Sequence, residues 1–158
     1  MRLAVDVMCG GIVTYLRMCG HDTVYVGGEG IEDDGAILEF AAAEGRTILT
    51  RDVALANRAD DAILLECRET EDQLAELLEA GVDLELEAEP TYCGACNGRL
   101  EGVDPEGSVP EYAPDPGDVP VWRCEDCGQC FWRGSHWDRV GETLTRVREE
   151  RPNTAGDQ

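Results

Sequence analysis

Two cysteine pairs, Cys93-x-x-Cys96 and Cys124-x-x-Cys127, stand in the second half of the chain with 27 residues between them. Each pair closes a tight turn that aims two sulfurs at one point. Two such turns supply the four tetrahedral thiolates of a structural Zn²⁺ and leave no open position for chemistry. The residues that follow support the turns: Cys127 precedes Gly128, and Cys96 precedes Asn97-Gly98, types that tolerate the left-handed backbone such turns need. Spaced pairs of this kind in an intracellular chain indicate a metal site rather than disulfides.

The metal divides the chain into unequal parts. Residues 1–88 carry a regular apolar pattern, whereas residues 89–140 are rich in Cys, Pro and Gly and poor in aliphatic side chains. A segment with so little core needs its metal to fold, and structural zinc contributes on the order of 10 kcal/mol. Residues 141–158 are expected to hold the end of a last helix, placed from near Asp138 by the spacing of Val140, Leu144 and Val147, and then a disordered tail over 151–158. The stretch from Val103 to Val121 reads as a poorly ordered insertion between hairpin arms.

Along the first part, short apolar runs alternate with helical patterns. Leu3–Val5, Thr23–Val26, Thr47–Leu49 and Ala62–Leu65 read as strands. Helices are expected at Ile12, Leu16 and Cys19, at Ile37, Phe40 and Ala41, after Asp52, and at Leu74, Leu77 and Leu78. Strands that are continuously apolar and separated by helices imply an α/β fold with a parallel sheet covered on both faces.

The net charge is −21, from 34 acidic residues against 13 basic ones, and every basic residue is Arg. A dispersed carboxylate excess without lysine fits a halophilic protein, in which hydrated acids keep the surface soluble and salt screens their repulsion. It also opposes ordinary nucleic-acid binding, which rests on Lys and Arg, except in concentrated salt where local arginines outweigh the total. No apolar run reaches membrane-spanning length, no export signal is evident, and eight cysteines fit a reducing cytoplasm.

Three aspartates recur at equivalent places: Asp6 at the end of the first strand, Asp34 at the entry to the helix after the second, and Asp52 directly after the third. In an open parallel sheet these positions share the carboxyl edge, where such folds bind ligands. Two readings are open. Asp is a favoured helix N-cap. Alternatively, three carboxylates gathered at one edge would hold a hard cation, Mg²⁺ or Mn²⁺, whose water attacks phosphorus. Asp33 competes with Asp34 as the inward residue, and Glu66, at the end of the fourth strand, is either a fourth acid or a solvated surface group.

A set of motifs then resembles a known family. These are Asp6-Val-Met8-x-Gly10, Leu16-Arg17-x-x-Gly20-x-Asp22, Asp34-x-x-Ile37-Leu38-x-x-Ala41, Leu49-Thr50-Arg51-Asp52, the Cys93 knuckle with Asn97, and Cys124-x-x-Cys127-Gly128-x-x-Phe131-Trp132-x-Gly134-Ser135-His136-Trp137. Over about residues 1–140 they resemble the Mut7-C family, a PIN-like ribonuclease domain followed by a zinc ribbon. The resemblance implies a PIN-like parallel sheet with a C-terminal zinc ribbon, and metal-dependent cleavage of RNA by Asp6, Asp34 and Asp52. It also implies RNA as partner, with a regulatory protein as a further candidate. Gly11, Thr14 and Tyr15 depart from the basic or tryptophan residues of relatives, which leaves Arg17, Arg46 and Arg51 as phosphate contacts, Arg17 and Arg51 foremost. Cys130 forms a second C-x-x-C with Cys127 and competes as a ligand or redox partner. Cys9, Cys19 and Cys67 read as buried thiols. His136 is expected to pack between Trp132 and Trp137, aromatic residues that also suit stacking on RNA bases. The alternative to an enzyme is a noncatalytic zinc-ribbon adaptor that binds RNA or protein.

Overall fold

The computed structural model of the chain describes residues 1–31 and 33–150. The tail expected over 151–158 lies outside the described residues.

Four strands form a parallel sheet: β1 (Arg2–Val5), β2 (Asp22–Tyr25), β3 (Thr47–Thr50) and β4 (Ala62–Leu64), in the order β2-β1-β3-β4. Side chains alternate in direction along each strand, and the core divides accordingly. Leu3, Val5 and Leu49 face one layer, Ala4 and Ile48 the other. The first layer contains α1 (Val13–Met18) and α4 (Thr70–Glu79), which contribute Leu16, Leu74 and Leu77. The second contains α2 (Asp34–Glu44) and α3 (Val53–Arg58), which contribute Ile37, Ala41 and Leu55. Both faces are thus covered, as the apolar runs require.

Three short antiparallel strands form a second sheet: β5 (Leu100–Gly102), β6 (Val121–Cys124) and β7 (Cys130–Trp132), with β6 central. The insertion between β5 and β6, expected to be poorly ordered, is instead a series of pinned turns. Asp104 and Asp115 carboxylates accept the N–H groups of Glu106 and Gly117, and the Tyr112 hydroxyl accepts the N–H of Cys130. Short Asp side chains at turn starts fix the backbone in this way without any core.

The last helix, α5 (Ser135–Glu150), starts three residues earlier than expected, because the N–H of Asp138 already closes on the carbonyl of Gly134. It begins inside the cysteine-rich segment yet delivers Val140, Leu144 and Val147 to the core that holds Leu3 and Leu74. Its spacing of four and three residues puts these on one helix face. Arg146 pairs with Glu71 across α4 and α5 at 2.8 Å. Among the described residues, no helix is long and apolar enough to cross a membrane.

Candidate metal centre and active site

The knuckles bring Cys93, Cys96, Cys124 and Cys127 together, with all ligand atoms within 4.8 Å of one another. Across the knuckles, Cys93 Sγ lies 3.7 Å from Cys127 Sγ, and Cys96 Sγ lies 3.5 Å from Cys124 Sγ. A tetrahedron with Zn–S bonds of about 2.3 Å has edges of about 3.8 Å, so the cluster fits zinc. Backbone N–H groups of Ala95, Gly98 and Asp126 donate to Cys93, Cys96 and Cys124 sulfurs at 3.3–3.4 Å, which favours thiolates. Burial opposes ionisation of Cys124, but the N–H groups of Cys127 and Asp126 and the neighbouring thiols hold it down to about 7. Asn97 and Gly128 adopt φ of 71° and 79°, the left-handed turns read from the sequence. Gly98 serves a different purpose: a Cβ there would sit 2.7 Å from Cys124 Sγ. Cys130 is buried in β7 and stands outside the cluster.

The first knuckle docks on β2, the edge strand of the parallel sheet. Asn97 Oδ1 accepts the N–H of Thr23 at 3.0 Å, and its Nδ2 donates to Asp22 Oδ1 at 2.7 Å. Asp22 in turn holds Arg46 Nη1 at 2.9 Å. Arg17 Nε donates to the carbonyl of Thr23 and its Nη1 to the carbonyl of Gly94, both at 2.9 Å. These contacts engage two of the arginines read from the sequence as phosphate contacts. Arg17 and Arg46 are 7% and 8% exposed, and their guanidinium groups are engaged by carbonyls and carboxylates within the fold.

At the carboxyl edge of the sheet, Asp6 follows β1 and Asp52 follows β3, the strand beside it. Thr50 ties them together: its hydroxyl donates to Asp6 Oδ2 at 2.7 Å and accepts the N–H of Asp52 at 3.0 Å. Asp6 is buried at 6% exposure, and its Oδ1 accepts the N–H of Val7. Asp52 Oδ1 accepts the N–H groups of Ala54 and Leu55, capping α3. Asp34 does not join them. The cap of α2 is Asp33, whose Oδ1 takes the N–H of Ala36 at 3.2 Å, and Asp34 is the first helical residue. Among the described residues, the four cysteines are the one group of three or more potential ligands within 4.8 Å, so the three aspartates do not converge to that distance.

The Mut7-C RNAse domain family matches residues 1–144. The chain belongs to the Mut7-C family. No curated protein and no solved structure matches it. The match runs from β1 through the four-cysteine ribbon into α5, so in this Mut7-C chain the ribbon is part of the family unit.

Family membership directs attention back to the sheet edge, where the roles of two residues escaped the sequence reading. Thr50 is one, and its signal is a hydroxyl two residues before a capping Asp at a strand end. Glu76 is another: its carboxylate accepts the N–H groups of Glu66 and Cys67 and so fixes the end of β4, while Glu66 itself is exposed. Nothing in the helical pattern of α4 singles Glu76 out. Cys9 is buried as read from the sequence; burial first, then the charges of Asp6 and Glu76, push its thiol up to about 11, which keeps it protonated at neutral pH. Cys19, likewise buried, rises to about 12, while Cys67 is only half-buried, contrary to expectation. Arg51, half-buried beside Asp52, has a buried Nε with no hydrogen-bond partner.

Proposed function

We propose that this Mut7-C protein is a metal-dependent endoribonuclease that hydrolyses single-stranded RNA in the cytoplasm of a halophile. The observation that carries the reading is the Thr50 hydroxyl, which holds the Asp6 carboxylate and the backbone N–H of Asp52 at adjacent strand ends in a family of RNase domains. Asp6 and Asp52 would hold Mg²⁺ or Mn²⁺, and Asp34 stands as an acid at the start of α2. Such an ion, when bound, lowers the pKa of its water and neutralises charge developing on the phosphoryl group. The chain's own residues supply the rest. Thr50 holds the Asp6 carboxylate by its Oδ2, and Arg51, half-buried beside Asp52, would meet a phosphodiester oxygen with its terminal guanidinium nitrogens, its Nε being buried. The four-cysteine ribbon, loaded with zinc, is the structural and RNA-positioning element, and its thiolates need the reducing compartment that a cytoplasm provides.

The test is cleavage of single-stranded RNA by the zinc-loaded full chain with and without added Mn²⁺. Asp6→Asn and Asp52→Asn are each expected to lower the rate by about two orders of magnitude or more, the scale of losing one electrostatic stabiliser. Undiminished cleavage in both variants would refute the assignment. A second reading, a noncatalytic RNA- or protein-binding adaptor, is favoured by one observation: Asp6 and Asp52 both accept backbone N–H groups at helix starts, as simple caps do. RNA binding without divalent-ion binding or cleavage would decide for it.

A further inference from the structure

A cleft of about 240 Å³ lies where the first knuckle, β7 and the start of α5 meet α1. Its walls are aromatic: Tyr92, Phe131, Trp132, His136 and Trp137 all line it. Trp132 and Trp137 are half-buried and His136 is exposed, so the rings present faces that nothing in the fold covers completely. Thr14 and Gln129 supply polar groups beside the rings.

Charge sets this cleft apart. Of the chain's 158 residues 34 are acidic, yet none of those lining the cleft is. The other clefts described carry carboxylates: Asp60 and Asp61 in one, Glu142 in another, Asp118 and Glu85 in two more. At its edge the Arg99 guanidinium lies 5.5 Å from the centre of the Tyr92 ring. A carboxylate within a few ångströms of a bound phosphate would repel it, so an acid-free aromatic slot on a polyanion fits a ligand that is flat, apolar on its faces and negatively charged nearby. An unpaired nucleotide has this chemistry, and base–aromatic stacking tolerates every base because each has a π-face.

We propose that this cleft is a nucleobase slot that takes one unpaired base of a single-stranded RNA, with Arg99 facing its phosphate; the choice of RNA over a free nucleotide rests on the ribonuclease reading. The slot runs past Thr14 and Met18 on α1, the helix that continues the turn capped by Asp6, so it lies on the same connected body as the sheet edge.

The test uses the zinc-loaded full chain and a short RNA carrying 4-thiouridine. Photo-cross-linking with peptide mapping is expected to place the adduct between Phe131 and Trp137 or at Tyr92. In fluorescence anisotropy, Trp137→Ala is expected to raise Kd for the same RNA about tenfold, and an abasic strand is expected to bind the unaltered protein about as weakly. Zinc content and melting temperature check that the variant folds; should it not, His136→Ala, at an exposed position, and the comparison of normal with abasic strands still decide. Adducts elsewhere, equal affinity for the abasic strand, or capture of a tryptophan-bearing peptide in preference to RNA would overturn the proposal. Neither readout needs cleavage, so failure of the aspartate assignment leaves this test intact.

Discussion

Replacing Asn97 by Gly isolates the contact that joins the four-cysteine ribbon to the parallel sheet. Glycine keeps the left-handed turn, where φ is 71°, and removes only the carboxamide. Two hydrogen bonds go with it. The bond to the Asp22 carboxylate is charge-assisted, worth about 1.5–3 kcal/mol, and the Thr23 N–H, on a residue with no exposed surface, loses its acceptor at a cost of about 1–3 kcal/mol. Water reaching the partly exposed Asp22 softens the first term, and relief of an L-residue from left-handed backbone returns about 1 kcal/mol. The net loss is about 2 kcal/mol. For a chain of this size that lowers the melting temperature by about 4–8 °C.

The assay is thermal unfolding of zinc-replete protein, with amide hydrogen exchange at Thr23 as a local readout. Asn97→Ala, which keeps the strained backbone as well, is expected to melt lower still. A zinc-replete Asn97→Gly variant that melts within about 1 °C of the unaltered chain, with Thr23 still protected, would show that the amide carries no coupling between the two sheets.

Two further outcomes follow from the same geometry. Cys130→Ala is expected to retain one zinc ion per chain, whereas Cys124→Ser and Cys127→Ser lose it, as read by native mass spectrometry; loss from Cys130→Ala would place that sulfur in the shell. Asp22 is held below the usual carboxylate range: burial raises its pKa, but the hydrogen bonds from Arg46 and Asn97 and the charges of Arg46 and Arg2 outweigh it. A depressed folded-state pKa gives stability that is present above the unfolded value of about 3.9 and is lost as pH falls through the folded one. Acid unfolding is therefore expected to be shallower below about pH 4 in Asp22→Asn than in the unaltered chain, and parallel curves would remove Asp22 from the linkage.

Local chemistry was legible in the sequence wherever it was written in neighbouring residues. The knuckles follow from Cys-x-x-Cys with Asn97 or Gly128 behind it, and the four parallel strands follow from short apolar runs between helical stripes. Contacts between distant segments were not legible. Arg17 reads as a surface cation on a short helix, and only the docking of Gly94, far along the chain, shows that its guanidinium is occupied. Adjacent Asp33 and Asp34 carry the same propensity, and the cap went to the one a residue earlier. The placement of Asp6 and Asp52 at adjacent strand ends, and of Asp34 apart from them, depends on strand order: β1 and β3 are neighbours, whereas Asp34 enters after β2 and its following turn.

The arginines bear on how so acidic a surface could hold RNA. Arg17, Arg46 and Arg146 are committed to carbonyls or carboxylates, and Arg123, Arg133 and Arg148 donate to backbone carbonyls. Of the other described arginines, Arg2 pairs with Asp22 and Glu44, Arg58, Arg68 and Arg139 are exposed, Arg51 is half-buried, and Arg99 lies over Tyr92. A handful of phosphate contacts gives a salt-dependent affinity, and at about 1 M salt, where the Debye length is about 3 Å, that shrinks. Stacking does not suffer in the same way, since burying a π-face depends on neither net charge nor screening. A chain of this composition therefore has to draw its affinity for a nucleic acid from aromatic surface more than from cations, and Trp132, Trp137, Phe131 and Tyr92 are gathered where no carboxylate opposes them.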